Sequence, residues 1–433
     1  MKNFNYFKNQ LIDQGQLQIN VSEQDNAKPV GDAKIQVVRK YDSTVVDELY
    51  TDSSGQTETM DLGAPPLEYS LTPESGKPYS EYDLSISAEG FDPITIEGVQ
   101  ILPQAKALQP VQMKPTVQNI ANAQNISIDQ HTLWGIFPPK IPEDEVKPLP
   151  DAGGFIVLPQ PVVPEFVVVH LGVPEDTSAQ NVWIPFKDYI KNVASSEIYS
   201  TWPEETIRAN VLAILSFVLN RVYTEWYRGK GFSFTITNST AYDQAFFYGR
   251  NFFQEISTVV DEIFTTYITR PEIKQPLFTQ FCDGVRTVCE KGMKQWGSKD
   301  LGDQGYDHLS ILRNYYGYDI FLQQADKVEG VPISFPGEPL VIGSTGPAVR
   351  TIQTQLNAIS NSYPAIKKVK VDGVYGQDTA DAVKTFQQIF NLPATGVVDF
   401  ATWYQISNIY VAVTKIAELD IKNYHNIYEP YRY

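Results

Sequence analysis

The chain is poor in the residues on which metal and disulfide chemistry depend. Among 433 residues there are two cysteines and four histidines. Two cysteines make no disulfide framework. A zinc site takes four nitrogen or sulfur ligands, or three and a water, so no metal and no cofactor is expected. Neither Gly-x-Ser-x-Gly nor His-Glu-x-x-His occurs, which weakens serine-esterase and zincin readings. The absence of a clustered His/Cys/Asp set argues against a zinc amidase or a papain-like peptidase. No run of about 18 apolar residues exists, so no membrane span is expected. The N-terminus, MKNFNYFKNQLIDQGQ, lacks the apolar core of a secretory signal. Positive charge is scarce: 34 Lys and Arg against 51 Asp and Glu give a formal net charge of −17. A nucleic-acid binder carries a basic face, so nucleic acid is not an expected partner.

What is present is ample core material. Hydrophobic residues make up 42% and aromatics 12%, enough for two to four domains. Residues 1–115 read as a β-sandwich. Leu17, Ile19 and Val21 alternate with polar residues, as do Ile35 and Val37, and Leu84 and Ile86, with turn signals at Asp52-Ser53-Ser54-Gly55 and Gly76-Lys77-Pro78. Residues 116–156 are crowded with proline and acid and read as an exposed linker or propeptide. Residues 157–328 form an α-rich α+β block. In it, Thr201-Trp202-Pro203-Glu204 looks like a helix start, with Thr201 as N-cap and Glu204 closing a capping box. The helix should run toward Arg228, a second should span about 250–269, and a third 307–316. Residues 335–412 form a small helical domain, and 413–433 a tyrosine-rich tail (Tyr424, Tyr428, Tyr431, Tyr433).

Several segments resemble known families. VIGSTGPAVRTIQTQLN, then VDGVYGQDTADAVKTFQQIFNLPATGVVD and TW, resemble the three-helix peptidoglycan-binding domain of bacterial cell-wall enzymes. That resemblance makes Tyr375, Gln387 and Trp403 candidates for wall contact, while Asp372-Gly373 shapes a turn and Asp378 can cap a helix. The order GQLQINV, VGDAKIQVV, YTDSSGQ, YDLSISAEGF resembles the transthyretin-like fold. PFKDYIKNVASSEIYSTWPEE, NSTAYDQAFFYGRN and GMKQWGSKDLGDQGYDHLSILRNYYG resemble, in order, the catalytic domain of the stage II sporulation protein D family, which are lytic transglycosylases.

That resemblance places the catalytic acid at Glu197. The chemistry agrees: glycosidic cleavage needs a proton on the leaving oxygen. A hydrolase adds a second carboxylate, whereas a lytic transglycosylase lets the muramic hydroxyl attack, so one carboxyl serves as acid and then base. The aromatic neighbours Tyr199 and Trp202 suggest a raised carboxyl pKa, as a general acid requires. Tyr242, Asp243 and Gln244 are candidates for sugar contact. Gln295 and Trp296 are candidates to line the groove. Glu204 and Glu205 read as first-turn charges. Cys282 and Cys289 read as a hairpin disulfide or free thiols; the zinc ligands of some relatives are replaced here by Cys289-Glu290-Lys291-Gly292.

The whole arrangement resembles the clostridial spore cortex-lytic enzymes. It implies a precursor stored at the cortex/coat boundary of the spore, with cortex peptidoglycan as substrate. A subtilisin-like germination protease would activate it by cutting near Ile156-Val157. The alternatives are a non-enzymatic wall-binding scaffold and an amidase cutting the stem peptide.

Overall fold

The computed structural model describes residues 12–414 except 25, 118–121, 148–159, 288, 290 and 326. It is a mixed α+β protein of several parts. The expected cut at Ile156-Val157 and the tyrosines of the tail lie outside the described residues.

The N-terminal part is two packed sheets. Strands β1 (Asp13–Glu23), β2 (Lys34–Arg39), β3 (Thr44–Tyr50), β4 (Met60–Ala64), β5 (Ser80–Ser87), β6 (Ile94–Ile101), β7 (Lys106–Met113) and β8 (Gln124–Ser127) build them, with a short helix α1 (Glu68–Leu71) after β4. One sheet has the order β4-β1-β7, and the other β3-β2-β5-β6-β8. The period-2 pattern holds: Leu17, Ile19, Val21, Ile35, Val37, Leu84 and Ile86 all point inward and are buried. Strand β8, from the segment read as linker, pairs in parallel with β6.

The middle block is built on α2 (Phe186–Glu197), α3 (Glu204–Tyr223), α4 (Gln254–Ile263), α5 (Gln295–Asp303) and α6 (His308–Tyr316). Helix α3 is apolar nearly all round and buried from Ala209 to Leu219, with Asn210 and Ser216 buried too, as a central helix should be. Its start differs from the expected capping box. Pro203 is the N-cap, and the Thr201 hydroxyl instead donates to Ser70 Oγ of α1 at 2.8 Å. The helix expected over 250–269 is shorter because both ends are claimed by strands. Phe252–Phe253 pairs with β7, and Thr266–Thr269 with Phe321–Gln324. Asp307 caps α6 by accepting from Ser310 N at 2.7 Å.

The C-terminal helices α7 (Pro347–Ile359), α8 (Gln377–Ile389) and α9 (Phe400–Thr414) form a small domain. Val349, Ile352, Leu356, Val383 and Phe386 fill its interior. Gln353 locks the preceding turn, accepting from Asp372 N and Gly373 N and donating to Asp372 Oδ1. Gly373 takes φ +78°, where a side chain would be strained. Gly376, not Asp378, is the N-cap of α8. The domain docks on both other parts. Tyr363 donates to Ala27 O, Lys187 Nζ donates to Gln405 Oε1, and Gln254 Nε2 donates to Asn391 O.

Candidate functional site

Glu197 is the last residue of α2, and it is buried. Its carboxylate is held from two sides. Oε1 accepts from Ala245 N at 2.7 Å, and Oε2 accepts from Gln295 Nε2 at 2.9 Å. The same amide donates to the Glu197 carbonyl at 2.8 Å, so Gln295, at the start of α5, fixes both backbone and side chain. The three segments that resembled one family thus meet at a single carboxyl.

Tyr199, Trp202 and Trp296 form one aromatic cluster beside it. Trp202 and Trp296 have ring centroids 4.9 Å apart, and Tyr199 stands edge-on to both at 5.7 and 6.1 Å. Their polar atoms are all satisfied by the N-terminal part. Trp202 Nε1 donates to Ser70 O, Trp296 Nε1 donates to Leu133 O, and Tyr199 OH accepts from Leu133 N.

The cover is the segment expected to be an exposed linker. Residues 128–147 form a strap across the middle block. Trp134 packs on Trp296 and Tyr199. Lys140 Nζ donates to Asp243 O, and Ile141 N donates to Ala241 O. Glu143 receives a two-pronged contact from Arg221, with N···O distances of 2.9 and 2.7 Å, and Glu145 meets Arg270 at 2.7 Å. Gln275 clamps Lys147 by donating to its carbonyl and accepting from its N–H. Polar and proline-rich composition marks surface, but here the inner face of the strap makes many specific bonds to the middle block. The space left at Glu197 is a cavity of about 30 Å³, whose walls include His131, Leu133, Lys140, Glu197, Asp283 and Gln295. That holds a water or two and no sugar ring.

Charge on the strap is perturbed by its setting. Burial, with the Arg250 guanidinium adding to it, pushes the His131 imidazole down to about 3. Burial lowers the Lys140 ammonium, while Glu197 and Asp243 pull it back up. Burial raises the Glu143 carboxyl, but Arg221 and then Lys147 outweigh it and hold it below the usual range.

Two expected sugar contacts lie inside the block. The Asp243 carboxylate is fully buried and used up: Oδ1 accepts from Arg221 Nε, and Oδ2 from Tyr227 OH, Thr237 N and Thr237 Oγ1. Gln244 is fully buried between Tyr189 and α3. Tyr242 is half-buried, and its carbonyl accepts from Arg221. Glu204 pairs with Arg208, and Glu205 accepts from the backbone and ring of His308. Cys282 and Cys289 are joined as a disulfide. Among the described residues no group of three or more His, Cys, Asp or Glu could hold a metal ion.

Tyr375, Gln387 and Trp403, the candidates for wall contact, are core residues. Tyr375 OH donates to Gly396 O, and Trp403 Nε1 donates to Ile333 O. The Gln387 amide ties Gly396, Val397 and Thr402 together. Each is held by the fold and faces no solvent. The open surface of this domain lies instead in a cleft of about 720 Å³ beside Arg350, Thr351, Thr354 and Tyr410.

Sequence reasoning missed Lys140, Glu143, Arg221 and Asp283. Lys140 and Glu143 lie more than 50 residues from Glu197 in sequence, and only the fold joins them.

A peptidoglycan-binding domain family matches residues 345–406. The C-terminal domain is therefore a peptidoglycan-binding domain, which associates the chain with the cell wall. No curated protein matches the chain. Solved structures with local likeness include the Bacillus anthracis TIE protein, at 16% identity over 24% of this chain and 18% of that one, TM-score 0.17. GBS52, the minor pilin of Streptococcus agalactiae, matches at 14% over 25% and 48%, TM-score 0.17. Acinetobacter radioresistens catechol 1,2 dioxygenase matches at 14% over 29% and 60%, TM-score 0.18. The chain thus spans less than two thirds of each, and likeness at this level carries no argument. No described helix is long and apolar enough to cross a membrane.

Proposed function

We propose that this chain is a peptidoglycan lytic transglycosylase, held inactive in its uncut form, with Glu197 as acid and then base. The observation that carries the reading is the lidded carboxyl. Glu197 is clamped by Ala245 and Gln295 beside an aromatic cluster, and the lid is a strap of the chain's own N-terminal part. In the reaction Glu197 gives its proton to the leaving glycosidic oxygen as the bond to C1 breaks. The C6 hydroxyl of the same muramic residue then attacks C1, and its proton returns to Glu197. The products are a free hydroxyl and a 1,6-anhydro end, and no water is consumed. The wall-binding domain brings the strand to the site. The spore cortex is the proposed wall, and a subtilisin-like germination protease cutting near Ile156-Val157 the proposed activator.

The test is to cut the full chain in the 151–159 segment, incubate it with purified spore cortex, and identify released muropeptides by mass spectrometry. Anhydro ends from the cut chain, and none from its Glu197→Gln form or from the uncut chain, are expected. Free stem peptides would replace this reading with an amidase. No release, with the chain sedimenting with cortex, would leave a wall-binding scaffold.

A further inference from the structure

A second carboxyl shares the cavity of Glu197, and the proposed reaction has not used it. Asp283 follows the short strand Phe281–Cys282, which pairs in parallel with Met293–Lys294 just before Gln295. It is buried, at 4% exposure. Its Oδ1 accepts three backbone N–H bonds, from Val285 at 2.7 Å, Arg286 at 3.1 Å and Thr287 at 3.0 Å. Its Oδ2 is equally buried and has no hydrogen-bond partner. A buried carboxylate oxygen without a partner is costly, and native folds seldom keep one idle.

Several contacts tie down the segment around it. Gly284 holds φ +78°, the Cys282–Cys289 disulfide closes the loop, and Trp296 N donates to the Asp283 carbonyl. One oxygen is thus spent on fixing the side chain, the other is buried without a partner, and the residue lines the same cavity as Glu197. The strap answers this arrangement with a cation. Lys140 lines the same cavity, its ammonium pinned on Asp243 O at 2.6 Å.

We infer that Asp283 is a second catalytic carboxylate, which faces the positive charge developing at C1 of the sugar while Glu197 moves the proton. The inference rests on the glycan-cleaving reading of the site. Asp283 forms and breaks no bond. It stabilises the oxocarbenium-like transition state electrostatically, from a position fixed in advance.

Asp283→Asn is the discriminating change. Its amide oxygen can still accept the three N–H bonds, so the loop is kept and only the charge is lost. The full chain, carrying a site-specific protease sequence within residues 151–159 and then cut, is assayed on purified cortex for anhydro ends. The expected result is a roughly 10²–10³-fold fall in kcat with KM and Tm unchanged. A second arm measures binding of a cationic iminosugar of the N-acetylglucosamine type. The cut parent chain should bind it at least about tenfold more tightly than the Asp283→Asn form, and a neutral N-acetylglucosamine oligomer should bind both alike. Anhydro release at the parent rate by Asp283→Asn would overturn the inference and leave the transglycosylase reading standing. No anhydro release by the parent would overturn that reading, and the iminosugar arm would still decide on Asp283: equal binding to both forms removes it.

Discussion

Acid should loosen the strap through His131. In the folded chain the ring is buried among Phe137, Phe247 and the guanidinium of Arg250, and its imidazole is pushed down to about 3 from its ordinary value of 6.5. The released strap therefore binds a proton below pH 6.5 that the docked strap refuses until about pH 3. Attachment is at full strength above pH 6.5 and is lost progressively below it. At pH 5.0 the difference is 1.5 units below 6.5, worth about 2 kcal/mol at 1.36 kcal/mol per unit. The residue as a whole is only half-buried, so about 1 kcal/mol is the working figure, a factor of roughly 5 in the open population. Glu143 does not confuse this window. Its carboxyl is depressed from 4.5, so its contribution is present above pH 4.5 and falls only below it. Hydrogen exchange at strap amides, corrected for intrinsic rate, should show protection falling about fivefold or more between pH 7.5 and 5.0. In His131→Leu the fall should vanish. Equal pH dependence in both chains would refute the reasoning.

Glu143→Gln removes the carboxylate that Arg221 grips with two N–H groups. It should cost the docked strap about 2–3 kcal/mol, seen as faster proteolysis within 128–147 and as basal anhydro release from the uncut chain. Trp403→Ala should empty the centre of the wall-binding domain and lower its stability by about 3–5 kcal/mol, read from thermal unfolding with loss of sedimentation on cortex. Gln353→Ala strands the N–H groups of Asp372 and Gly373 and should cost about 2 kcal/mol, with wall binding lost on mild heating. Reduction of Cys282–Cys289 opens a small loop, worth about 2 kcal/mol. It should slow the cut chain by releasing the Asp283 side chain, while binding to cortex stays as it was.

Local periodicity made much of the scaffold legible. Strand alternation at Leu17-Ile19-Val21 and helix spacing at Val349-Ile352-Leu356 each set one face of one element, and those faces are buried as the spacing demanded. Boundaries failed where a distant partner took the end of an element. Phe252 and Phe253 read as the start of a helix until β7 is there to pair with them. Tyr375, Gln387 and Trp403 failed for a related reason. Aromatic and amide side chains serve sugar recognition and small-domain packing equally well, and here all three fill or tie the centre of the domain.

The strap failed most instructively. Its prolines, acids and exposed Ile136, at 91% exposure, describe its outer face truthfully. The inner face is legible only against its complement, because Leu133 bonds Tyr199 and Trp296 through main-chain atoms that any residue possesses. Binding through the backbone leaves no mark in composition. It also explains why such a segment can close the site and still be removable. Much of its hold is through the main chain, and its His131 ring and Glu143 carboxylate make its docking change with pH. It stays attached to the middle block by chain connectivity through 148–159. Cutting that stretch would turn an intramolecular contact, held at high effective concentration, into one that must survive on the N-terminal part's own affinity.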